Sequence, residues 1–195
     1  MASILEENNT SKLFLNAVNK LLRSINEPPI DTEEDINSLE EASIAATTLI
    51  ETKREVLTEG WKFNRDDNYS FPQNDEGIIV IPANVLDISS SDGNLIMRDW
   101  RLYSISGQTA IFDEPQSLNV IWDMGFNSLT HPIRNYITIR ATRIFQAEQV
   151  MDTSLYAYNQ NDEEQAYMLA RRSEGRTGNF NMLNSTFGQN YRVRS

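Results

Sequence analysis

Paired acidic side chains are the feature of this sequence that could most directly do chemistry. Neighbouring carboxylates occur at Asp66 and Asp67, at Glu33 and Glu34, and at Glu163 and Glu164. Two carboxyl groups in one groove can hydrolyse a glycosidic bond, one as general acid and the other as base or nucleophile. Adjacent acids at helix starts more often stabilise the positive end of the helix dipole. We therefore favour a structural, solvated role for these pairs.

Other catalytic chemistry has little support in the residue types present. His131 is the single histidine and the chain has no cysteine, which excludes thiolate chemistry, disulfides and a multi-histidine metal site within one chain. His131 precedes Pro132 in a turn that enters a predicted helix, so a surface or capping role is favoured over a general base. Glycine-rich phosphate loops and Gly-x-Ser-x-Gly elbows are absent. We predict no enzyme activity, catalytic residue, metal or cofactor.

Aromatic residues offer a further binding chemistry. Five of them lie in the middle of the chain: Trp61, Tyr69, Trp100, Tyr103 and Trp122. Such side chains can stack on sugars or bases, but in a small sheet they more often fill a core or an interface. Packing is the favoured interpretation.

Charge is distributed unevenly along the chain. The net charge is −11, yet residues 171–195 contain five arginines against one glutamate, a net charge of +4, which leaves −15 for the rest. Non-specific DNA binding needs clustered Lys and Arg. The strongly acidic part of the chain before residue 171 is therefore a poor candidate for binding DNA. It is suited to lining a passage to which DNA must not adhere.

The basic end of the chain supplies the candidate interface residues, which are Arg171, Arg172, Arg176, Phe180, Met182, Leu183, Arg192 and Arg194. The first three arginines could form a solvated helix end. They could instead clasp the acidic segment 31–41 of a neighbouring subunit through bidentate pairs.

Two helices are predicted to precede the central part of the chain. Apolar residues at 3–4 spacing predict an amphipathic helix over residues 11–25, which ends sharply because Asn26 tolerates a left-handed backbone and prolines follow. We define the helix stop as Glu27, Pro28 and Pro29. A second helix of about 27 residues is predicted after Thr32, which pairs with Asp35, and is capped at Gly60.

The remainder of the chain is predicted to be a sheet followed by helices. Short β-type runs separated by turn residues predict a meander of five or six strands between residues 61 and 122, including 78–81, 95–97 and 109–112. The turn residues at 91–94 and 106–108 are predicted to be hairpin connectors, because each run contains a glycine. Helical spacing returns at 130–150. Another helix begins at Asp162, with Ala166, Leu169 and Ala170 as its apolar side, and is broken by Gly175 and Gly178.

These elements predict an α+β fold, with a bundle of about four helices, an inserted small antiparallel β-sheet and an extended C-terminal tail. The expected divisions are N-terminal helices at 1–60, a β domain at 61–127, C-terminal helices at 128–178 and an interaction tail at 179–195. The N-terminus has neither a signal sequence nor a membrane anchor, and no later run is long enough to span a membrane, so we expect folding in a cytoplasm.

Several short blocks resemble a known family. The blocks are Asn16-Ala17-Val18-Asn19, Ile25-Asn26-Glu27-Pro28-Pro29, Gly60-Trp61-Lys62-Phe63-Asn64, Arg140-Ala141, Arg143-Ile144-Phe145-Gln146 and Asn181-Met182-Leu183. Their order and the chain length are similar to the tail tubular protein A family of T7-like short-tailed phages. Relatives often have Gly where Asn26 stands, and the central sheet is similar only in pattern.

The resemblance implies a structural virion protein made in the host cytoplasm. It would form a ring, expected to be a dodecamer, that acts as an adaptor and gatekeeper between the portal protein and the tail nozzle, tail tubular protein B. Tail fibres could attach at this junction, and DNA would pass without specific binding during ejection. Two alternatives stay open at this point: a virion-associated polysaccharide hydrolase and a small regulatory protein that binds a partner through its acidic helix.

Overall fold

The computed structural model describes residues 12–149 and 153–177, and these residues form a mixed α+β fold. The helices are α1 (Lys12–Ser24), α2 (Glu33–Ser38), α3 (Glu40–Thr58), α4 (His131–Gln149) and α5 (Thr153–Thr177), with a short 3-10 helix at Phe126–Ser128. The strands are β1 (Arg65–Phe71), β2 (Val85–Ser89), β3 (Leu95–Arg98), β4 (Arg101–Ser104) and β5 (Gln116–Trp122). The predicted order of helices, antiparallel strands and helices is confirmed. The predicted tail from residue 179 lies outside the described residues.

The five helices, which we call the bundle, surround one apolar core. In α1 the predicted stripe is buried at Phe14, Val18 and Leu21, and α4 buries Ile137 and Phe145 against it. The 3–4 spacing of these residues places them on one face of each helix, so burying that face removes most of the apolar surface from water. The bundle thereby forms the larger of the two cores.

The prediction of a single long second helix is wrong, because the helix is interrupted at Leu39. Leu39 has an extended backbone (φ −112°, ψ 127°) and separates α2 from α3. At about 100° per residue, Ile36 would lie roughly a third of a turn from the buried stripe of an uninterrupted α3. The break lets Ile36 reach the core, where it is 1% exposed, while Leu39 and Ser43 face outward.

Helix α5 also differs from its predicted extent. It begins at Thr153, so Asp162 lies within the helix, and it continues through Gly175 to Thr177. A glycine lowers helix stability by only about 1 kcal/mol relative to alanine, so Gly175 lies within the helix without breaking it. Ala166 and Ala170 form the buried face as predicted, whereas Leu169 is exposed.

The strands form two sheets. The predicted meander, in which consecutive strands pair in chain order, is wrong. The larger sheet has the order β1-β5-β2, and β3 pairs with β4 in a separate hairpin. Strand β5 is central because it alternates buried Leu118 and Val120 with less buried residues and pairs with strands on both sides. The predicted strands 78–81 and 109–112 form only isolated bridges, which join Ile78 to Ile111, Val80 to Arg101 and Ser104 to Thr109.

The two predicted hairpin turns have different outcomes. Residues 106–108 do make a tight turn, in which the Ser104 N–H donates to the Thr109 carbonyl at 2.8 Å. Residues 91–94 instead connect strands of different sheets. The β3–β4 hairpin turns at Asp99 and Trp100, both with positive φ (50° and 59°), although hairpin turns of this type favour Asn-Gly or Asp-Gly.

A second, smaller core lies inside the strands, which together with their loops (residues 65–122) we call the β lobe. Its buried apolar residues are Phe71, Ile79, Ile81, Val85, Leu102, Leu118 and Val120. Polar contacts join the lobe to the bundle: Lys53 of α3 is 3% exposed and its Nζ lies 2.7 Å from Asp123 Oδ1, directly after β5. Arg54 reaches the other oxygen of Asp123 at 3.2 Å. The carboxylate thus fixes the end of β5 against α3.

Candidate functional site

The helix stop is held by hydrogen bonds within the chain. Asn26 has a left-handed backbone (φ 64°), and the Glu27 N–H donates back to the Leu22 carbonyl at 3.0 Å, as in a Schellman motif. The buried amide of Asn19 donates to the Ile30 carbonyl and accepts from the Ile30 N–H, each at 2.8 Å. Helix α1 thus ends just before the Glu27-Pro28-Pro29 turn, and hydrogen bonds hold both ends of that turn.

The block at residues 60–64 joins α3 to the β lobe. Gly60 ends α3 with φ 73°, as predicted for a C-terminal cap, and Trp61 is fully buried with its Nε1 donating to the Val56 carbonyl at 2.7 Å. The Asn64 amide donates to the carbonyls of Leu57 and Trp122, each at 2.9 Å. One side chain thereby connects the end of a helix to the end of the central strand.

Arg171 packs beside this block within its own chain. Its guanidinium lies 4.6 Å from the centre of the Trp61 ring, and its Nε donates to the Tyr167 hydroxyl at 2.9 Å. Ion pairs connect it to Glu174 at 3.3 Å and to Glu59 at 3.5 Å. Burial raises the pKa of Glu59, and Arg171 opposes that shift. Arg171 thus connects α5 to the end of α3 through contacts within one chain.

A second ion-pair network holds α3, α4 and α5 together along a cleft of about 750 Å³. Arg140 of α4 reaches Glu55 of α3 at 2.5 Å and Glu163 of α5 at 3.5 Å. Arg143 binds the other oxygen of Glu163. Burial raises the pKa of the Tyr136 hydroxyl, which accepts a hydrogen bond from Arg140 at 3.1 Å. Arg140 and Arg143 lie in two of the blocks that carry the family resemblance.

The paired acids of the sequence prove to be separate structural groups. Asp66 accepts a hydrogen bond from the Trp122 indole at 2.8 Å, and Asp67 pairs with Arg65 at 2.9 Å. Glu33 and Glu34 lie in the first turn of α2, as expected for residues that favour the helix dipole.

The capping pair at the start of α2 is also present. The Thr32 N–H donates to Asp35 at 3.0 Å and holds the pKa of that carboxyl below its ordinary value. His131 is exposed at the first residue of α4.

The aromatic residues do not form one stacking platform. Trp61 lies in the bundle core, while Trp122 contacts Tyr69 edge-on with ring centres 5.2 Å apart. Trp100 lies apart from both in the β3–β4 turn and is 48% exposed. The packing interpretation therefore holds for Trp61 and Trp122, and Trp100 is a surface residue.

The predicted interface residues are only partly described. Arg172 is exposed on α5, Arg171 is engaged within the chain, and the side chain of Arg176 lies outside the described residues. Phe180, Met182, Leu183, Arg192 and Arg194 also lie outside them. The clasp of these arginines on the segment 31–41 of a neighbour stays a prediction.

Sequence reasoning missed the exposed end of the β3–β4 hairpin. Arg98 and Arg101 face each other across the two strands, on either side of the Asp99-Trp100 turn. Neither turn residue is Gly or Asn, so the usual hairpin signal is missing. An available signal was the charge pattern, Arg-Asp-Trp-Arg, between two short apolar runs.

The described part of the chain contains neither a cluster of metal-binding residues nor a membrane-spanning helix. Among residues 12–149 and 153–177, no group of three or more His, Cys, Asp or Glu residues could hold a metal ion. None of the helices described there is both long and apolar enough to cross a membrane.

Comparison with known proteins identifies the class. The sequence model of the family described as tail tubular protein matches residues 15–180. The chain is therefore a structural component of a phage tail, located in the virion. It belongs to the tail tubular protein family. Tail tubular protein A of Klebsiella phage KP34 is 26% identical to it, over 91% of this chain and 95% of that protein.

Proposed function

We propose that the chain forms a ring that joins the portal to the tail nozzle and passes DNA during ejection. The observation that carries this proposal is the family match over residues 15–180. The similarity to a tail tubular protein A over 95% of its length supports it. The partners of such an adaptor are further copies of itself, expected to number twelve, the portal protein, the nozzle protein tail tubular protein B and, at the same junction, a tail fibre.

The electrostatics support a role in passage rather than in DNA binding. The chain has a net charge of −11, and its described arginines at 140, 143 and 171 are engaged with carboxylates of the same chain. A protein that gripped DNA would present such cations to phosphates and release counterions. We infer that the ring presents an acidic surface to the DNA path, so that DNA slides without adhering.

The native mass of the purified protein, alone and with an assembled portal, tests this proposal. We expect a ring, or a monomer that becomes a ring bound to the portal, because head-to-tail contacts close when the rotation between copies is a fraction of a full turn. A chain that stays monomeric under both conditions would contradict the adaptor and favour the regulatory alternative.

The cleft between α4 and α5 bears on the hydrolase alternative. It is lined by Glu59, Glu163, Tyr136 and Tyr167, and a glycosidase needs two carboxyl groups in such a groove. Both oxygens of Glu163 are bound by arginines, which favours a structural role for the cleft. A reducing-sugar assay on host polysaccharide decides the matter: we expect no release, and release that Glu59→Gln abolishes would establish a hydrolase.

A further inference from the structure

The exposed end of the β3–β4 hairpin has the features of a binding surface. We define the hairpin tip as Val80 together with Arg98, Asp99, Trp100 and Arg101. Trp100 is 48% exposed and Val80 is 59% exposed. Val80 and Arg101 form an isolated antiparallel β-bridge, so their side chains lie on the same face of the hairpin. Exposed Trp and Arg are the residue types that most often dominate protein interfaces.

The local structure of the tip is unfavourable for an isolated hairpin. Arg98 and Arg101 are directly opposite each other, and like charges in that position destabilise a strand pair. Trp100 has a positive φ of 59°, which is uncommon for a bulky residue. Neither arginine has an ion-pair partner within the described residues, although the Arg98 guanidinium lies over the Tyr103 ring of its own chain, 4.0 Å from the ring centre. Carboxylates from another molecule would relieve the repulsion between them.

A complementary surface lies on the bundle. We define the acidic corner as Leu39, Glu40 and Glu41, where α2 meets α3. Leu39 is 47% exposed, and both glutamates are exposed and without an ion-pair partner in the described chain. The glutamates favour the positive end of the α3 dipole, and the break at Leu39 leaves that leucine as an exposed apolar side chain beside them.

We propose that the acidic corner of one copy binds the hairpin tip of the next copy. The occupant of the hairpin tip is thus a second copy of this chain: Leu39 packs on Trp100 and Val80 while Glu40 and Glu41 pair with Arg98 and Arg101. Such a contact joins two different surfaces, and repetition of it closes a ring or continues as a filament. The proposal rests on the ring-forming function proposed above. It assigns the acidic segment to the β-lobe arginines, since Arg171 is engaged within its own chain.

Charge reversal tests the contact. In Arg98→Glu/Arg101→Glu and in Glu40→Arg/Glu41→Arg, we expect the fraction of assembled protein at a fixed concentration to fall by at least about tenfold, because like charges then face each other. Placing all four changes in one chain should restore assembly. Arg23→Glu is the matched control, an exposed arginine at the end of α1 that belongs to neither proposed interface, and its reversal should leave assembly unchanged. Circular dichroism confirms that each variant is folded.

The outcomes separate this contact from the proposed function. Wild-type assembly together with normal assembly of the Arg98→Glu/Arg101→Glu variant would overturn the contact but leave the ring intact. Loss of assembly in Arg172→Glu alone would instead establish the clasp by α5. A wild-type chain that assembles neither alone nor with the portal overturns both proposals.

Cross-linking gives a second test that does not depend on charge. The chain has no cysteine, so Leu39→Cys/Trp100→Cys introduces the only two thiols. Addition of a short bismaleimide to the assembled protein should give a ladder at multiples of 22.3 kDa. Each single-cysteine variant should give no ladder. An assembled double variant that yields only the unlinked chain would contradict the contact.

Discussion

The arginines of the bundle and those of the β lobe have different surroundings. Arg140 and Arg171 bind carboxylates of their own chain and connect three helices, whereas Arg98 and Arg101 face each other at an exposed turn. The tryptophans differ in the same way, since Trp61 is fully buried and Trp100 is half exposed. The difference indicates that polar and aromatic groups of the bundle stabilise the fold. At the hairpin tip Arg98 packs on Tyr103, and the exposure of Trp100 supports our proposal that this surface binds a second copy.

The two tryptophans offer the strongest test of this comparison. Trp61→Ala removes a fully buried side chain, its hydrogen bond to Val56 and the ring beneath Arg171, and we expect a loss of about 4 kcal/mol in the free energy of unfolding. Trp100→Ala, the matched control in the β lobe, should cost about 0.5 kcal/mol. Urea unfolding measures both. Equal losses in the two variants would show that the hairpin tip is part of the fold.

The ion pair between the bundle and the β lobe should have the next largest effect. Asp123→Asn removes the carboxylate from beside the buried Lys53, and we expect roughly 3 kcal/mol of destabilisation. Adding Lys53→Met should recover part of that loss, because the desolvated charge is then gone. The exposed pair of Asp67 with Arg65 is the control, and Asp67→Asn should change stability by less than about 0.5 kcal/mol. An equal response at both carboxylates would contradict the role of Asp123 as the connector.

The helix stop is expected to contribute less. Asn19→Ala deprives both backbone groups of Ile30 of their partner, which should cost about 2 kcal/mol. Asn16→Ala, one turn earlier and exposed, should be nearly neutral. Thermal unfolding of the two variants distinguishes them. Full stability in the Asn19 variant would show that the prolines alone fix the turn.

The smallest expected effect concerns pH. Burial raises the pKa of Glu59 above its ordinary value. At a pH between the ordinary and the raised pKa, the folded chain therefore holds a proton that the unfolded chain has lost. Glu59 therefore makes stability fall as pH rises from its ordinary pKa through the raised value. Glu59→Gln should show a smaller loss of stability over that range. Identical profiles of stability against pH for the wild type and the variant would show that Glu59 does not cause this pH dependence.

Local signals in the sequence predicted much of the bundle. Asn26 and Gly60 have the left-handed backbones expected of helix ends, and the prolines of the helix stop follow the first of them. The break at Leu39 was missed because neither Gly nor Pro marks it. It depends on the burial of Ile36 against other helices, which is a tertiary effect.

The β lobe was less predictable because its pairing is not local. Strand β5 pairs with β1 from about 50 residues earlier, and no local pattern specifies that partner. Arg171 was found as a candidate because of its charge, but its partners Glu59 and Glu174 follow only from the packing of α5 on the end of α3. The hairpin tip was missed because Asp99 and Trp100 adopt a turn without its usual residues.

Electron cryo-microscopy of the purified virion tail most directly tests the account. We predict a closed ring of this chain between the portal and the nozzle, with an acidic channel surface and with each hairpin tip on the next copy. A tail in which the chain lies outside that junction, or a ring whose channel is lined mainly by Arg and Lys, would contradict the adaptor proposed above.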